Sequence, residues 1–171
     1  MIRFRDCLKA GKVGEIIFKD DFLDFLGICY ENVTGKQQYQ VIDSDYITKI
    51  GLYEIKTNYK DDKKIIVEEY TNINEALSPI SHGWFYKCKA DLLVCVSKRT
   101  RTMVLIPFHQ KFKDRYEKIK SKSPLIFNAI SSHNGRKWQS AFRRINLDDI
   151  AGYYSMYRRV PPLAEKGPEH E

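Results

Sequence analysis

No apolar run in this chain approaches the ~20 residues that a bilayer-spanning helix needs. The opening Met1-Ile-Arg-Phe-Arg-Asp lacks the apolar core of a secretion signal. No membrane partner is expected, and the expected compartment is the cytoplasm. Cysteine is sparse: Cys7, Cys29, Cys88 and Cys95 show no C-x2-C spacing, and none stands near a histidine in a zinc-binding pattern. They read as reduced thiols. The four histidines, His82, His109, His133 and His170, are equally scattered, so no local Cys–His pair marks a nucleophile. Neither G-x-x-x-x-G-K-[ST] nor G-x-G-x-x-G occurs, which argues against motor-type nucleotide chemistry and a dinucleotide cofactor. There is no internal repeat and no interdomain linker.

What is present suits one soluble α/β (α+β) domain. A chain of 171 residues, 43% hydrophobic and 30% charged, is long enough to bury a core without disulfides or metal staples. The domain is expected over residues 1–160. Beyond Val160, Pro-Pro-Leu-Ala-Glu-Lys-Gly-Pro-Glu-His-Glu has the composition of a disordered acidic tail over 161–171.

The richest stretch runs from Asp43 to Thr57. Gln38-Tyr-Gln-Val-Ile42 reads as an incoming strand and Leu52-Tyr-Glu-Ile-Lys-Thr57 as the outgoing one, both with β-branched and aromatic residues. Side chains alternate along a strand, so Glu54 and Lys56 share a face while Ile55 takes the other, and Asp43 and Asp45 also share a face. A turn at Thr48-Lys49 or Lys49-Ile50 lays one or both aspartates beside Glu54 across the ladder. Close carboxylates repel, so such a cluster holds a cation or shares a proton. All-oxygen donors favour a hard divalent ion, Mg²⁺ or Mn²⁺, held by Asp45, Glu54, Asp43 and the Ile55 carbonyl. Lys56 then stands beside the water that such an ion activates. The plain alternative is a solvated hairpin with a Glu/Lys surface pair, worth at most ~1 kcal/mol.

Over residues 11–110 the chain resembles the PD-(D/E)xK nuclease superfamily, including restriction enzymes, Holliday-junction resolvases and small phage and bacterial endonucleases. Ser44-Asp45 stands at the Pro-Asp position with serine for proline, and Glu54-Ile55-Lys56 matches E-x-K without gaps. Asp43 is the second choice for the aspartate. Gly14-Glu15 opens an amphipathic segment, Val13 to Leu26, and Glu15 matches the early helical acid of the family. The strand Ile65–Tyr70 with Glu68 and Glu69, then Gly83-Trp84-Phe85 and Ala90-Asp91, follow in the family's order without an assigned role. The resemblance implies a restriction-endonuclease-like domain with a central mixed sheet flanked by helices. It further implies Mg²⁺-dependent cleavage with Asp45, Glu54, Lys56 and Glu15 as catalytic residues, and pairing as a homodimer.

Charge points the same way. The chain carries a net +7, but residues 98–144 hold thirteen Lys and Arg against two acids, Asp114 and Glu117, leaving the rest acidic on balance. A basic half joined to a carboxylate-bearing half suits a polyanion, DNA first among them. Arg99, Arg101, Lys111, Arg136, Lys137, Arg143 and Arg144 are the expected phosphate contacts. Arg136 and Lys137 are expected on a loop through Asn134-Gly135 leading into a strand over Trp138–Ile145, with Trp138 offered for stacking. Lysine-rich segments such as Gln110–Lys120 are equally read as solvated helix faces. Tyr153-Tyr-Ser-Met-Tyr-Arg-Arg is read as a final helical turn or an arm. Two other functions fit the same residues: a non-cleaving nucleic-acid-binding protein of this fold, and a protein-interaction module with a basic face.

Overall fold

The computed structural model describes residues 4–40, 44–58, 63–73, 79–128, 130–133 and 136–159. Helix α1 covers Phe4–Phe18 and runs on into a π-helical turn, Lys19–Asp24. Strand β1 (Tyr30–Asn32) and a single helical turn, α2 (Gln37–Gln40), precede the hairpin β2 (Tyr46–Thr48) and β3 (Gly51–Asn58). Next come β4 (Lys64–Ile73), β5 (Pro79–His82), the short α3 (Trp84–Lys87), β6 (Leu92–Ser97), β7 (Thr102–Pro107) and α4 (Gln110–Ile119). The chain closes with β8 (Ile126–Phe127), the hairpin β9 (Ser131–His133) and β10 (Arg136–Trp138), β11 (Ala141–Asn146), a 3-10 turn at Leu147–Ile150, and β12 (Ser155–Arg158).

The expected α+β domain with a mixed sheet is what is found. Its centre is a six-stranded sheet in the order β1-β2-β3-β6-β7-β12, in which, among the described residues, β3 and β6 run parallel and the other neighbours antiparallel. A four-stranded antiparallel sheet, β5-β4-β11-β8, forms a second unit. Strand β6 explains the layering. Its run Leu-Leu-Val-Cys-Val-Ser is buried on both faces, as a strand packed from two sides must be. Val94 and Val96 join Ile17, Phe18, Leu23, Tyr53 and Ile55 in a core under α1. Leu93 and Cys95 join Phe85, Phe112, Tyr116, Ile65 and Ile145 in a second core, under α4 and the smaller sheet. Fully buried side chains such as Phe18 and Phe85 each contribute roughly 1.5–3 kcal/mol.

Several local expectations need correcting. The incoming strand of the hairpin is Tyr46–Thr48; of the strand expected over 38–42, residues 38–40 belong to α2 and 41–42 lie outside the described residues. Gly35 turns the chain with φ of 81°, and the Lys36 carbonyl then collects the Tyr39 and Gln40 amides into α2. Consecutive glutamines have no apolar face to bury and are good helix formers, so the local turn wins. Gly14 does not open a helix; it lies inside α1, where a methyl group would be driven into the Thr57 hydroxyl of β3. Arg136 and Lys137 stand on strand β10, and the strand expected over 138–145 is divided, β10 ending at Trp138 and β11 beginning at Ala141. Residues 155–158 form neither helix nor arm but the β12 edge strand, paired with β7. The tail over 161–171 lies outside the described residues.

Candidate active site

The hairpin register sets the geometry. Tyr46 lies opposite Tyr53, and the Asp45 amide donates to the Tyr53 carbonyl at 2.8 Å. There the two strands part. The Ile55 amide donates to Asp45 Oδ2 at 2.9 Å. A residue's N–H and C=O leave the same edge of a strand, so the Ile55 carbonyl also faces Asp45. Tyr53 and Ile55 pack into the core under α1, which turns Glu54 and Lys56 to the opposite face, as alternation along the strand requires.

Glu54 is only 4% exposed, and its Oε1 is ion-paired with the Lys56 ammonium. The Glu54 carboxyl also acts on Asp45, lowering its pKa. Lys56 Nζ in turn lies 4.9 Å from the centre of the Trp84 ring. Glu15 approaches from α1, held by helix-to-sheet contacts that include the Tyr46 hydroxyl donating to the Glu15 carbonyl at 3.4 Å. Thr34 Oγ1 stands 3.4 Å from both Glu15 Oε2 and Asp45 Oδ1, and its single proton serves one carboxylate at a time.

Two of these acids are perturbed. Burial raises the Asp45 pKa, against the opposing pull of the Ile55 amide and the Lys56 charge. Burial also raises that of Glu15, and the Asp45 charge adds to it, while Thr34, Lys12 and Lys56 act the other way. Three carboxylates and one ammonium in a half-desolvated space leave excess negative charge that a cation or a proton relieves.

Thus the structure brings together Glu15, Asp45, Glu54, Lys56 and the Ile55 backbone, drawn from α1, the start of β2 and β3. Asp43 lies outside the described residues. Among the described residues no group of three His, Cys, Asp or Glu side chains is gathered as a ready metal cage. Mg²⁺ does not demand one, since it is commonly held by one or two carboxylates with waters and substrate phosphate. Asp45, Glu54 and the Ile55 carbonyl fit such an ion by donor type.

Three neighbours were not legible in the sequence. Thr34 gives no local signal, and Lys12 contributes only because helix spacing sets it one turn before Glu15. Trp84 belongs to the Gly83-Trp84-Phe85 stretch, whose place becomes clear only in the fold. Asp91 proves to be a pin for the hairpin: its Oδ2 accepts from the Leu52 amide at 2.8 Å.

The basic residues do not form one wall. Arg101, with φ of 55°, places Nε 2.6 Å from Oδ2 of buried Asp21. Arg143 reaches inward to buried Glu69, with Nε 3.0 Å from Oε1. Lys111 lines a cleft of about 260 Å³ with His109, Tyr153 and Tyr154 at the start of α4. Arg136 and Lys137 stand on the β9–β10 hairpin. Arg144 is exposed on β11, its guanidinium 5.9 Å from the Phe142 ring. Nearest the acids along the chain is the end of β3, two residues past Lys56. There the Lys98 amide donates to the Asn58 carbonyl at 3.2 Å, and the Asn58 side-chain amide donates to the Lys64 carbonyl. The backbones of Lys64 and Lys98 therefore meet at that end.

No helix of the described residues is long and apolar enough to cross a membrane. Comparison with known proteins adds no relative: no family model, no curated protein and no solved structure matches the chain.

Proposed function

We propose that this protein is a metal-dependent nuclease that hydrolyses phosphodiester bonds of DNA. The observation that carries the reading is the convergence of Asp45, Glu54, Lys56 and Glu15 beside the Ile55 carbonyl, at the point where β2 leaves β3. Asp45, Glu54 and that carbonyl would hold Mg²⁺ or Mn²⁺, with Glu15 as an auxiliary acid. Bound there, the ion would polarise the phosphodiester and lower the pKa of an attacking water.

The remaining work falls to the chain itself. Thr34 holds Glu15 and Asp45 in mutual orientation by hydrogen bonding to either. Lys56 presents an ammonium to the attacking water and offsets negative charge growing on the phosphoryl oxygens. Lys64 and Lys98, whose backbones meet the end of β3, would add positive charge about two residues beyond it, roughly 7 Å along the strand. Arg101 and Arg143 are not assigned to DNA, because each already serves a buried acid.

The test is cleavage of labelled supercoiled plasmid, linear duplex, single strand, four-way junction and RNA, each with Mg²⁺, Mn²⁺ or EDTA. Glu54→Gln and Lys56→Ala are run in parallel. Cutting that needs the metal and is lost by both variants is expected, at least 100-fold for Lys56→Ala if it acts on the transition-state charge. A Glu54→Gln protein that cuts like wild type would overturn the assignment.

One observation favours a second reading, a DNA-binding protein that does not cut. Lys56 is already ion-paired with Glu54, so that pair needs no bound ion to hold it. That reading requires salt-sensitive DNA binding that is indifferent to EDTA and to Lys56→Ala. Light scattering of the free and DNA-bound protein tests the homodimer that the family resemblance implies.

A further inference from the structure

The cleft of about 260 Å³ at the start of α4 is lined by none of the acids of the carboxylate site. Three elements meet there. Pro107 ends β7, His109 and Lys111 stand at the head of α4, and the turn after the 3-10 segment brings Tyr153 and Tyr154 to the same space. Ile106, just before Pro107, lies two strands across the sheet from Glu54, roughly 10 Å from its backbone.

The lining is aromatic on one side of the chemistry and cationic on the other. Gly152 takes a φ of 85°, a left-handed turn that glycine allows, and the Tyr153 amide then donates to the Ile150 carbonyl at 3.0 Å. The Tyr153 ring packs 6.5 Å centre to centre from that of buried Phe112, so its place is set by the core. Tyr153 and Tyr154 are both half-buried, which leaves part of each side chain open to the cleft. Lys111 is exposed in the first turn of α4. A first turn favours acids, and this one has none, so the helix itself gains nothing from the lysine. His109 Nδ1 accepts from the Phe112 amide at 3.3 Å, which leaves Nε2 as the donor of the neutral ring.

We propose that this cleft binds one unpaired nucleotide, its base against the Tyr153 and Tyr154 rings and its phosphate on Lys111 and His109. Pockets for larger ligands begin near ~300 Å³, so the space takes a single nucleotide and not a dinucleotide. Every base has a face to stack and every nucleotide a phosphate, so no base preference is expected. The nucleotide is either free or part of a single strand, and the chemistry at the cleft is the same for both. Binding here does not depend on cleavage at the carboxylates.

The experiment is an NMR titration of ¹⁵N-labelled protein in EDTA, with the Lys111, Tyr153, Tyr154 and Ser155 amides reporting on the cleft. The probes are dAMP, deoxyadenosine, inorganic phosphate, a short oligo-dA strand and the matching duplex. The cleft amides are expected to shift with dAMP, at an affinity about tenfold above that for deoxyadenosine or for phosphate. Lys111→Gln is expected to weaken dAMP about tenfold and to leave deoxyadenosine unchanged, whereas Tyr153→Leu or Tyr154→Leu weakens both about tenfold. Lys111 is exposed, so its variant serves if a leucine variant does not fold.

A strand that binds more tightly than dAMP, and is weakened by the same substitutions, supports the proposal and identifies the nucleotide as part of a strand. Equal or weaker binding of the strand supports it with a free nucleotide as the ligand. Cleft amides unmoved by both dAMP and the strand overturn the proposal, as do phosphate or duplex bound as tightly as their nucleotide and single-strand counterparts, or leucine variants that both bind dAMP like wild type. None of these outcomes touches the nuclease reading, which stands or falls on metal-dependent cutting.

Discussion

Two buried glutamates, Glu54 and Glu69, have opposite expected behaviour, and replacing each by glutamine separates a working acid from a structural one. Glu69 is 1% exposed on β4 and accepts from Tyr116 at 2.5 Å and from Arg143 Nε at 3.0 Å. Arg143 also donates to the Ser123 carbonyl, so the carboxylate ties the smaller sheet to α4 and to the segment after it. Glutamine keeps an acceptor for the tyrosine but removes the charge, which leaves a guanidinium of 17% exposure without its anion. Breaking one side of a buried pair costs about 3 kcal/mol. With a urea dependence of ~2 kcal/mol per M, usual for a chain of this size, the midpoint should fall by about 1.5 M. Glu54 is paired with a Lys56 side chain that is 30% exposed, so in Glu54→Gln the ammonium keeps access to water. The midpoint of that variant should move by no more than ~0.5 M, although cleavage is lost. Urea unfolding followed by far-UV circular dichroism, with a plasmid-cutting assay on the folded fraction, measures both. A Glu69→Gln midpoint within 0.3 M of wild type, on the order of 0.6 kcal/mol, would refute the assignment of that network to stability.

Further expectations concern the helix–sheet contact and the acids themselves. Gly14→Ala should lower the melting temperature despite alanine's better helix propensity. The added methyl is driven into the Thr57 hydroxyl, a strain of ~1–3 kcal/mol against a gain of ~1, and Thr57→Ala in the same chain should restore most of the loss. The raised pKa values of Asp45 and Glu15 give the metal-free protein a pH dependence of definite sign. Between the unfolded carboxylate values, about 4, and the higher folded ones, the native state binds more protons than the unfolded chain, so stability falls as pH rises through that window. Urea midpoints in EDTA should therefore include a component that declines from the acid side of the window toward neutrality. Asp45→Asn should flatten that component, and Mg²⁺ at neutral pH should offset it; an identical slope in wild type and Asp45→Asn would contradict the burial of this acid.

Residue order alone carried the E-x-K hairpin. Alternation on β3 places Glu54 and Lys56 together on one face whatever the rest of the chain does, whereas the turn, open between Thr48-Lys49 and Lys49-Ile50 in the sequence, is fixed by the pairing of Thr48 with Gly51. The amphipathic segment around Glu15 and the helix from Gln110 were legible for the same reason, since local periodicity and local backbone hydrogen bonds decide them. Short polar stretches were misread where two local structures compete closely, as at 38–40, where a helical turn replaces strand. The edge strand at 155–158 was hidden because its pairing partner, β7, lies some fifty residues earlier. Charge misled in a different way. The count of Lys and Arg between 98 and 144 says nothing of direction: Arg143 reaches buried Glu69, and Arg101, half exposed, pairs with buried Asp21, which Arg159 also approaches at 3.7 Å. Only the tertiary structure could bring Glu15, Thr34 and Trp84 to the hairpin, since each depends on how a helix or a second sheet packs across the first. That packing is decided by the apolar cores on the two faces of β6, summed over many side chains, and no local spacing encodes it.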